Sequence, residues 1–501
     1  YNYSSTHGES WATEMTHYIA KIRGYEFGMY GPNDTQYQAS RLPHGGQLNM
    51  SDSRNENYTW RNQISYVKNF GRHLLTATVG QEVNSTKYDG FTGIFYGYLP
   101  GRGQTISNPP LTTSDAAGDL RENTSYAQPK TSIIDNKSNK LSFYGAFTYT
   151  FDERYVFNAS IRSDASNRFG QDKDARYLPV WSLGLRWNMG REHFLEGQDF
   201  LNEFSLRLTY GYQGNASEAA GPDLIARIPS GAGISKVTGE YYLEIKSLPN
   251  PKLKWEKTAT VNAGADFVFW KNKINGSFEY YYKKTTDAII NKEVPYENGV
   301  LSMPMNGGSL ENYGWELSFS FAPVRTKNFI WTMGLNTSKN YNKVTSKLES
   351  NENWQQAVAG NINKQGYPVS GFWAFEFAGL NPENGIPLYN LPGIDTPEAK
   401  TDATVYMKYM GKLDPDFTAG LNMGFRFKDL TLSTSFYLSV GGKKFLAKMF
   451  DNDMINSTPY EYNNLPKDLV NRWRKPGDEK YTNIPSLPEY GKASVDLSSS
   501  S

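Results

Sequence analysis

Apolar and polar side chains alternate residue by residue through much of this 501-residue chain. Only an extended strand places successive side chains on opposite faces, so the pattern commits the chain to β-structure. Leu141, Phe143, Gly145, Phe147, Tyr149 and Phe151 share one face, and Ser142, Tyr144, Ala146, Thr148, Thr150 and Asp152 share the other. After a break at Asp152-Glu153-Arg154 the alternation resumes, with Tyr155, Phe157, Ala159 and Ile161 against Asn158, Ser160, Arg162 and Asp164, which predicts a long hairpin. The same grammar predicts strands near 57–68, 72–84, 139–151, 155–164, 177–189, 203–213, 254–270, 273–284, 313–322, 329–340, 417–427 and 430–440. Many are longer than the roughly 5 or 6 residues usual in globular proteins.

Composition removes the competing classes. Hydrophobic residues are 38 % of the chain and its mean hydropathy is −0.62, too polar for a bundle of membrane helices. Disorder is excluded by near balance of charge, 52 Lys and Arg against 51 Asp and Glu, together with 15 % aromatic residues. A net charge of +1 gives no electrostatic footprint for nucleic acid, so none is expected as a partner. The absence of cysteine excludes disulfides and thiolate metal sites.

Alternation alone fits a soluble sandwich as well as a membrane barrel, and connection length separates them. Links after the strands ending near 68, 151, 189, 270, 322 and 427 are short, while those after 84, 164, 213, 284, 340 and 440 are mostly long. Tight turns on one rim and long loops on the other belong to a transmembrane barrel, which takes up a chain of this length as a single unit. Its polar strand faces, with Asn158, Arg162, Glu279, Glu316 and Arg426, are expected to line the lumen, and Phe147, Phe319 and Leu432 to meet lipid. Aromatics near strand ends, among them Trp60, Tyr66, Tyr149, Phe151, Tyr155, Trp187, Phe269, Trp270 and Phe427, are read as interfacial girdles. The alternative is that these rings are the core of a soluble β protein.

Several strings then resemble the SusC/RagA family of TonB-dependent outer-membrane transporters. They are 151–164 (Phe-Asp-Glu-Arg-Tyr-Val-Phe-Asn-Ala-Ser-Ile-Arg-Ser-Asp), 166–170 (Ser-Asn-Arg-Phe-Gly) and 206–211 (Leu-Arg-Leu-Thr-Tyr-Gly) with Gly214-Asn215. Further along come 250–256 (Asn-Pro-Lys-Leu-Lys-Trp-Glu), 281–287 (Tyr-Tyr-Lys-Lys-Thr-Thr-Asp), 306–316 and Asp414-Pro415-Asp416-Phe417. The resemblance implies an all-β fold, a large antiparallel transmembrane β-barrel of 22 strands in the family, in the outer membrane of a Gram-negative bacterium. It also implies an N-terminal plug that reaches TonB, a SusD-like surface lipoprotein as partner, and an oligosaccharide or peptide as substrate. Neither plug nor TonB box is seen in the sequence, so 1–501 is read as a partial barrel domain lacking the plug and the closing strands. In it 1–50 is poorly placed, and 441–501 is an extracellular loop before the missing strands.

Catalytic motifs are absent, since there is no G-x-S-x-G, no phosphate-binding loop and no H-E-x-x-H. His7, His17, His44, His73 and His193 are scattered and read as loop or turn residues, not as metal ligands. Asp172-Lys173-Asp174 and Asp451-Asn452-Asp453 lack the spacing of a calcium loop and read as hydrated charge, so no cofactor is expected. Aromatics in two loops, 85–138 and 341–416, are the candidate substrate contacts: Tyr88, Phe95 and Tyr96 in the first, Trp354, Phe372, Trp373 and Phe375 in the second. Flat rings beside polar neighbours suit sugar faces or the apolar side chains of a peptide. The functional expectation is an importer of glycan fragments. Its alternatives are a peptide importer, a secreted β-rich adhesin or glycan-binding module, and an outer-membrane barrel hydrolase.

Overall fold

The computed structural model describes residues 1–13, 45–107, 130–167, 178–195, 197–215, 238–250, 252–300, 302–346, 353–446 and 466–486, with short pieces at 16, 18–19, 33–34, 112–114, 120–122, 224–227 and 235. Among the described residues the main sheet has fourteen strands, thirteen of them on one path: β1 Asn2–Ala12, β2 Gly46–Phe70, β3 His73–Leu99, β4 Lys130–Phe151, β5 Tyr155–Ser166, β6 Leu178–Trp187 and β7 Leu201–Asn215, followed by β8 Glu256–Phe269, β9 Ile274–Glu293, β10 Ser302–Arg325, β11 Phe329–Val344, β12 Phe417–Phe427 and β13 Leu430–Val440; the short Thr105–Ile106 pairs with β3 off this path. Along the path each strand pairs with its neighbours in chain order, and among the described residues no pairing joins β13 to β1. No helix among the described residues is long and apolar enough to cross a membrane.

The chain divides into two compact units. One holds Tyr1–Gln63, Gly80–Phe143 and Asp164–Asn167, the other Ile64–Val79, Tyr144–Ser163 and Arg168–Ser501. In the first, β1 pairs with β2 from Asn2 opposite Asn57 to Ala12 opposite Gln47, so a strand occupies part of the N-terminal stretch in which the sequence shows no pattern. In the second, tight turns join the strands by left-handed backbone: Gly71 at φ 65°, and Asp152 and Glu153 at φ 55° and 56°. Gly71 and Asp152 enter that region at low steric cost, and Glu153 follows in the same turn.

All twelve strands expected from alternation are present, but several run further. β3 continues to Leu99, and β9 and β10 reach Glu293 and Ser302. The long link expected after the strand ending near 284 is therefore corrected, because the 294–301 connection is shorter than the 188–200 one. In 285–312 the ladder continues past a register shift between Thr285 and Ala288, where Asp287 adopts φ 57°. Backbone pairing persists there after the apolar alternation has faded, so the eye reads a loop where the chain builds a hairpin.

The β11–β12 connection also folds. A short helix, α1 Trp354–Ala359, is capped by the Asn353 side chain, which accepts from the Gln356 N–H at 2.9 Å, and ends on Gly360 at φ 70°. Gly371–Ala374 pairs with Lys408–Lys412, and Glu376–Leu380 with Pro387–Asn390. Ala357, Ile362, Trp373, Ala403 and Met407 make the core of this insert.

Candidate functional site

Cross-strand register turns the polar strand faces into lateral rows. Arg186, Arg207, Gly264, Glu279, Glu316, Ser338 and Thr418 stand opposite one another in sequence from β6 to β12. Ser205, Asp266, Ser277, Ser318, Asn336 and Gly420 form the neighbouring row. Asn158, Arg162, Glu279, Glu316 and Arg426 all fall on the polar side of their strands.

Burial on these strands is inverted relative to a water-soluble protein. Ser205 is 0 % exposed, while Leu208 on the opposite face of the same strand is 51 % exposed, and Leu432 on β13 is 58 % exposed. A soluble sheet hides its leucines and wets its serines. A sheet facing lipid on one side and polar groups on the other does the reverse.

Arg207 organises the polar rows. Its Nη2 donates to Asp266 Oδ1 at 2.9 Å and to Glu279 Oε1 at 2.7 Å. Asn262 donates to the other Glu279 oxygen at 3.2 Å, and Ser205 to Asp266 at 3.3 Å. The reach to Glu279 crosses Gly264, where a Cβ would stand 3.3 Å from Nη2, so a glycine keeps the guanidinium's path open. Glu316, directly opposite Glu279, borders a groove of about 500 Å³ that Ser277, Ser318, Asn336, Ser338 and Thr418 also line. Alternation puts Asp266 and the two glutamates on polar strand faces, but the pairing of Arg207 with Asp266 and Glu279 depends on strand register.

The candidate aromatics fall in two places. Tyr88, Phe95 and Tyr96 lie on β3, Tyr88 exposed and the other two half-buried. Strand alternation separates them: Phe95 shares a face with Phe91 and with Gly93, whose missing side chain leaves room for both rings. Tyr88 and Tyr96 are on the other face, with the buried Tyr98. Trp354, Phe372, Trp373 and Phe375 belong to the insert. Phe375 packs on Trp354, Tyr389 and Tyr406 with centroids 5.7, 5.6 and 6.3 Å apart, and Trp373 packs on Tyr367 and Tyr409 at 5.3 and 5.4 Å. Trp373 and Phe372 are only 2 % and 3 % exposed. Trp354 and Phe375 are half-buried.

At the short-turn ends a second polar cluster ties three connections together. Arg72 Nε donates to Asp152 Oδ1 at 2.7 Å, and Arg154 Nε stands 3.0 Å from Asp152 Oδ2. Glu192, 7 % exposed, accepts from Tyr155 Oη at 2.6 Å, Trp187 Nε1 at 2.9 Å and Arg154 Nη1 at 3.3 Å. The Arg72 hydrogen bond holds the Asp152 carboxyl below the usual carboxylate range, and those from Tyr155 and Trp187 do the same for Glu192.

His7 pairs with Asp52 at 3.1 Å, His73 with Tyr149 at 2.6 Å and His193 with Arg154 at 2.9 Å, while His17 and His44 lie outside the described residues. So do the acidic clusters at 172–174 and 451–453. Among the described residues no three His, Asp or Glu side chains are placed to hold a metal ion.

Residues 1–477 match the family described as TonB dependent receptor-like, beta-barrel, and the chain belongs to it. A member of this family lies in the outer membrane of a Gram-negative bacterium and is not an enzyme. The chain is 30 % identical to the TonB-dependent receptor SusC of Bacteroides thetaiotaomicron over 410 residues, 77 % of this chain and 37 % of that protein. It is 25 % identical to the TonB-dependent receptor P3 of Formosa agariphila over 454 residues, 86 % of this chain and 42 % of that protein. It therefore spans about two-fifths of these relatives' length. A solved structure described as the RagAB peptide transporter superposes with a TM-score of 0.70 at 22 % identity, covering 98 % of this chain and 50 % of that one, and shows the same fold.

Proposed function

We propose that this chain is the barrel of a TonB-dependent nutrient importer of the SusC/RagA type, which takes up oligosaccharides or glycan fragments with a SusD-like surface lipoprotein. In the intact protein an N-terminal plug couples passage to TonB. The observation that carries the reading is the continuous polar face from β6 to β12 set behind an apolar outer face. In a closed barrel that face becomes the wall of a wide polar passage, suited to hydrophilic solutes too large for passive pores.

The glycan preference rests on chemistry. Sugar C–H faces stack on rings such as Tyr88, and sugar hydroxyls exchange hydrogen bonds with a wall of Ser, Thr, Asn and Glu. Tyr96, Trp354 and Phe375 keep partial exposure for such contacts, Phe372 and Trp373 support them from within the insert, and Phe95, on the face of β3 opposite Tyr88, stays outside this set. Peptide import is the second reading, favoured by the alternating charges of Arg207, Asp266 and Glu279, which match the charged groups of a peptide. Growth of a deletion strain on purified glycans and on peptide mixtures separates the two. A defect confined to glycans is expected; a defect confined to peptides moves the assignment to the second reading.

A further inference from the structure

The outer face of β9, β10 and β11 changes character along the strands. Ile274, Phe321 and Met333 form a row near the short-turn end, and Phe278 stands beside Leu317 further along. Tyr282, Tyr313 and Tyr341 then make a purely aromatic row. One step beyond come Lys284, Glu311 and Lys343. The distance from Phe321 to Glu311 is ten residues of β10. At about 3.4 Å per residue and a tilt of about 40° this is roughly 26 Å of depth, the height of a barrel's apolar band. The lysine row therefore lies where hydrocarbon gives way to headgroups on the long-loop side.

Charge at that level is unbalanced. Lys284 has Glu311 at 3.5 Å, but Lys343 has no ion-pair partner among the described residues. Lys339, in the row below beside Trp315, has its ammonium 5.1 Å from the Tyr341 ring centroid. Asp416, which Lys339 also feels, is already paired with Lys412 at 2.8 Å. Tyr313 and Tyr341 stack at 5.1 Å between these cations and both remain 38 % exposed. Three cations thus flank two phenols at the upper edge of an apolar wall, with one carboxylate between them.

We propose that Lys339 and Lys343, with the Tyr313 and Tyr341 hydroxyls, bind the phosphate of an outer-leaflet lipid whose acyl chains lie along Trp315, Leu317 and Phe278. A free anion offers only its charge to this corner. A phosphorylated lipid meets both the cations and the apolar surface beneath them, and an ammonium at this depth gains most from an anion already anchored in the leaflet. The inference concerns the membrane-facing side and does not depend on which solute the barrel carries.

The test uses the intact protein in detergent micelles, with native mass spectrometry counting retained lipid A, a phosphorylated glycolipid, against its dephosphorylated counterpart. Lys339→Gln with Lys343→Gln is expected to lower lipid A retention about thirtyfold, the contribution of two surface cations. Lys339→Arg with Lys343→Arg should retain it, as should Lys283→Gln, which alters the adjacent but inward-facing lysine. Heat-shifted gel migration identifies variants that have folded. Equal retention of both lipids, unchanged retention in the folded double Gln variant, or displacement of lipid A by millimolar inorganic phosphate would overturn the proposal.

Discussion

Arg207 holds two carboxylates on adjacent strands, and its position between Leu206 and Leu208 looks ordinary in the sequence. Alternation says which face it occupies but not what it meets, because its partners lie 59 and 72 residues away. Faces were thus legible from single strands, and partners were not. The face assignment has a direct consequence for charge tolerance. Phe319 stands in an outer row with Gly276 and Leu335, while Glu316 stands in the polar row between Glu279 and Ser338. Phe319→Arg is expected to destabilise the membrane-inserted protein by about 2–4 kcal/mol, the cost of a cation near the bilayer midplane, whereas Glu316→Arg should fold close to normally. Folding yields of the intact protein into lipid vesicles would measure the contrast, and equal tolerance at the two sites would refute the facing.

Elements were read well where one face meets lipid and poorly where neither does. The twelve expected strands all exist, because a lipid-facing side enforces one apolar residue in two. From 85 to Leu99, around 285–312 and through 353–416 that constraint lapses, and the pattern no longer separates strand, bulge and packed insert. Trp373 illustrates the cost: its neighbours in sequence read as an aromatic loop, yet it is the largest side chain in the insert's buried core. That placement predicts a local failure. Trp373→Ala should weaken the insert by about 3–5 kcal/mol, as large aromatic truncations in cores do. Limited proteolysis of the intact protein should then cut within 353–413 at protease levels that leave the wild type whole. Heat-shifted gel migration should persist, since the β6–β13 ladder does not use Trp373; loss of that shift would show that the insert and the strands fold as one.

For the whole molecule, strand direction decides where a partner can sit. Tight connections such as 71–72 and 152–154 gather at one end of the strands, and the β11–β12 connection, whose residues 353–416 carry folded mass, leaves from the other. In the outer membrane the short turns face the periplasm and the long connections face outward. A periplasmic protein therefore finds short turns braced by the Arg72, Asp152 and Glu192 hydrogen bonds, while an external one finds a folded, aromatic-rich platform. The lipoprotein of the proposed function would sit on the second surface, because a preformed core loses less conformational entropy on docking than a flexible loop does. The insert presents Ile386, Leu388, Ile394 and Val405, each between 39 % and 44 % exposed, as apolar side chains that docking would cover. Affinity purification of the tagged intact protein in mild detergent is expected to recover a SusD-like lipoprotein in near-equal amount. Charged substitutions at Leu388 and Val405 should reduce that recovery without changing heat-shifted migration. Recovery of the barrel alone in repeated preparations would remove the lipoprotein from the proposal, and recovery unaffected by both substitutions would move its seat off the insert.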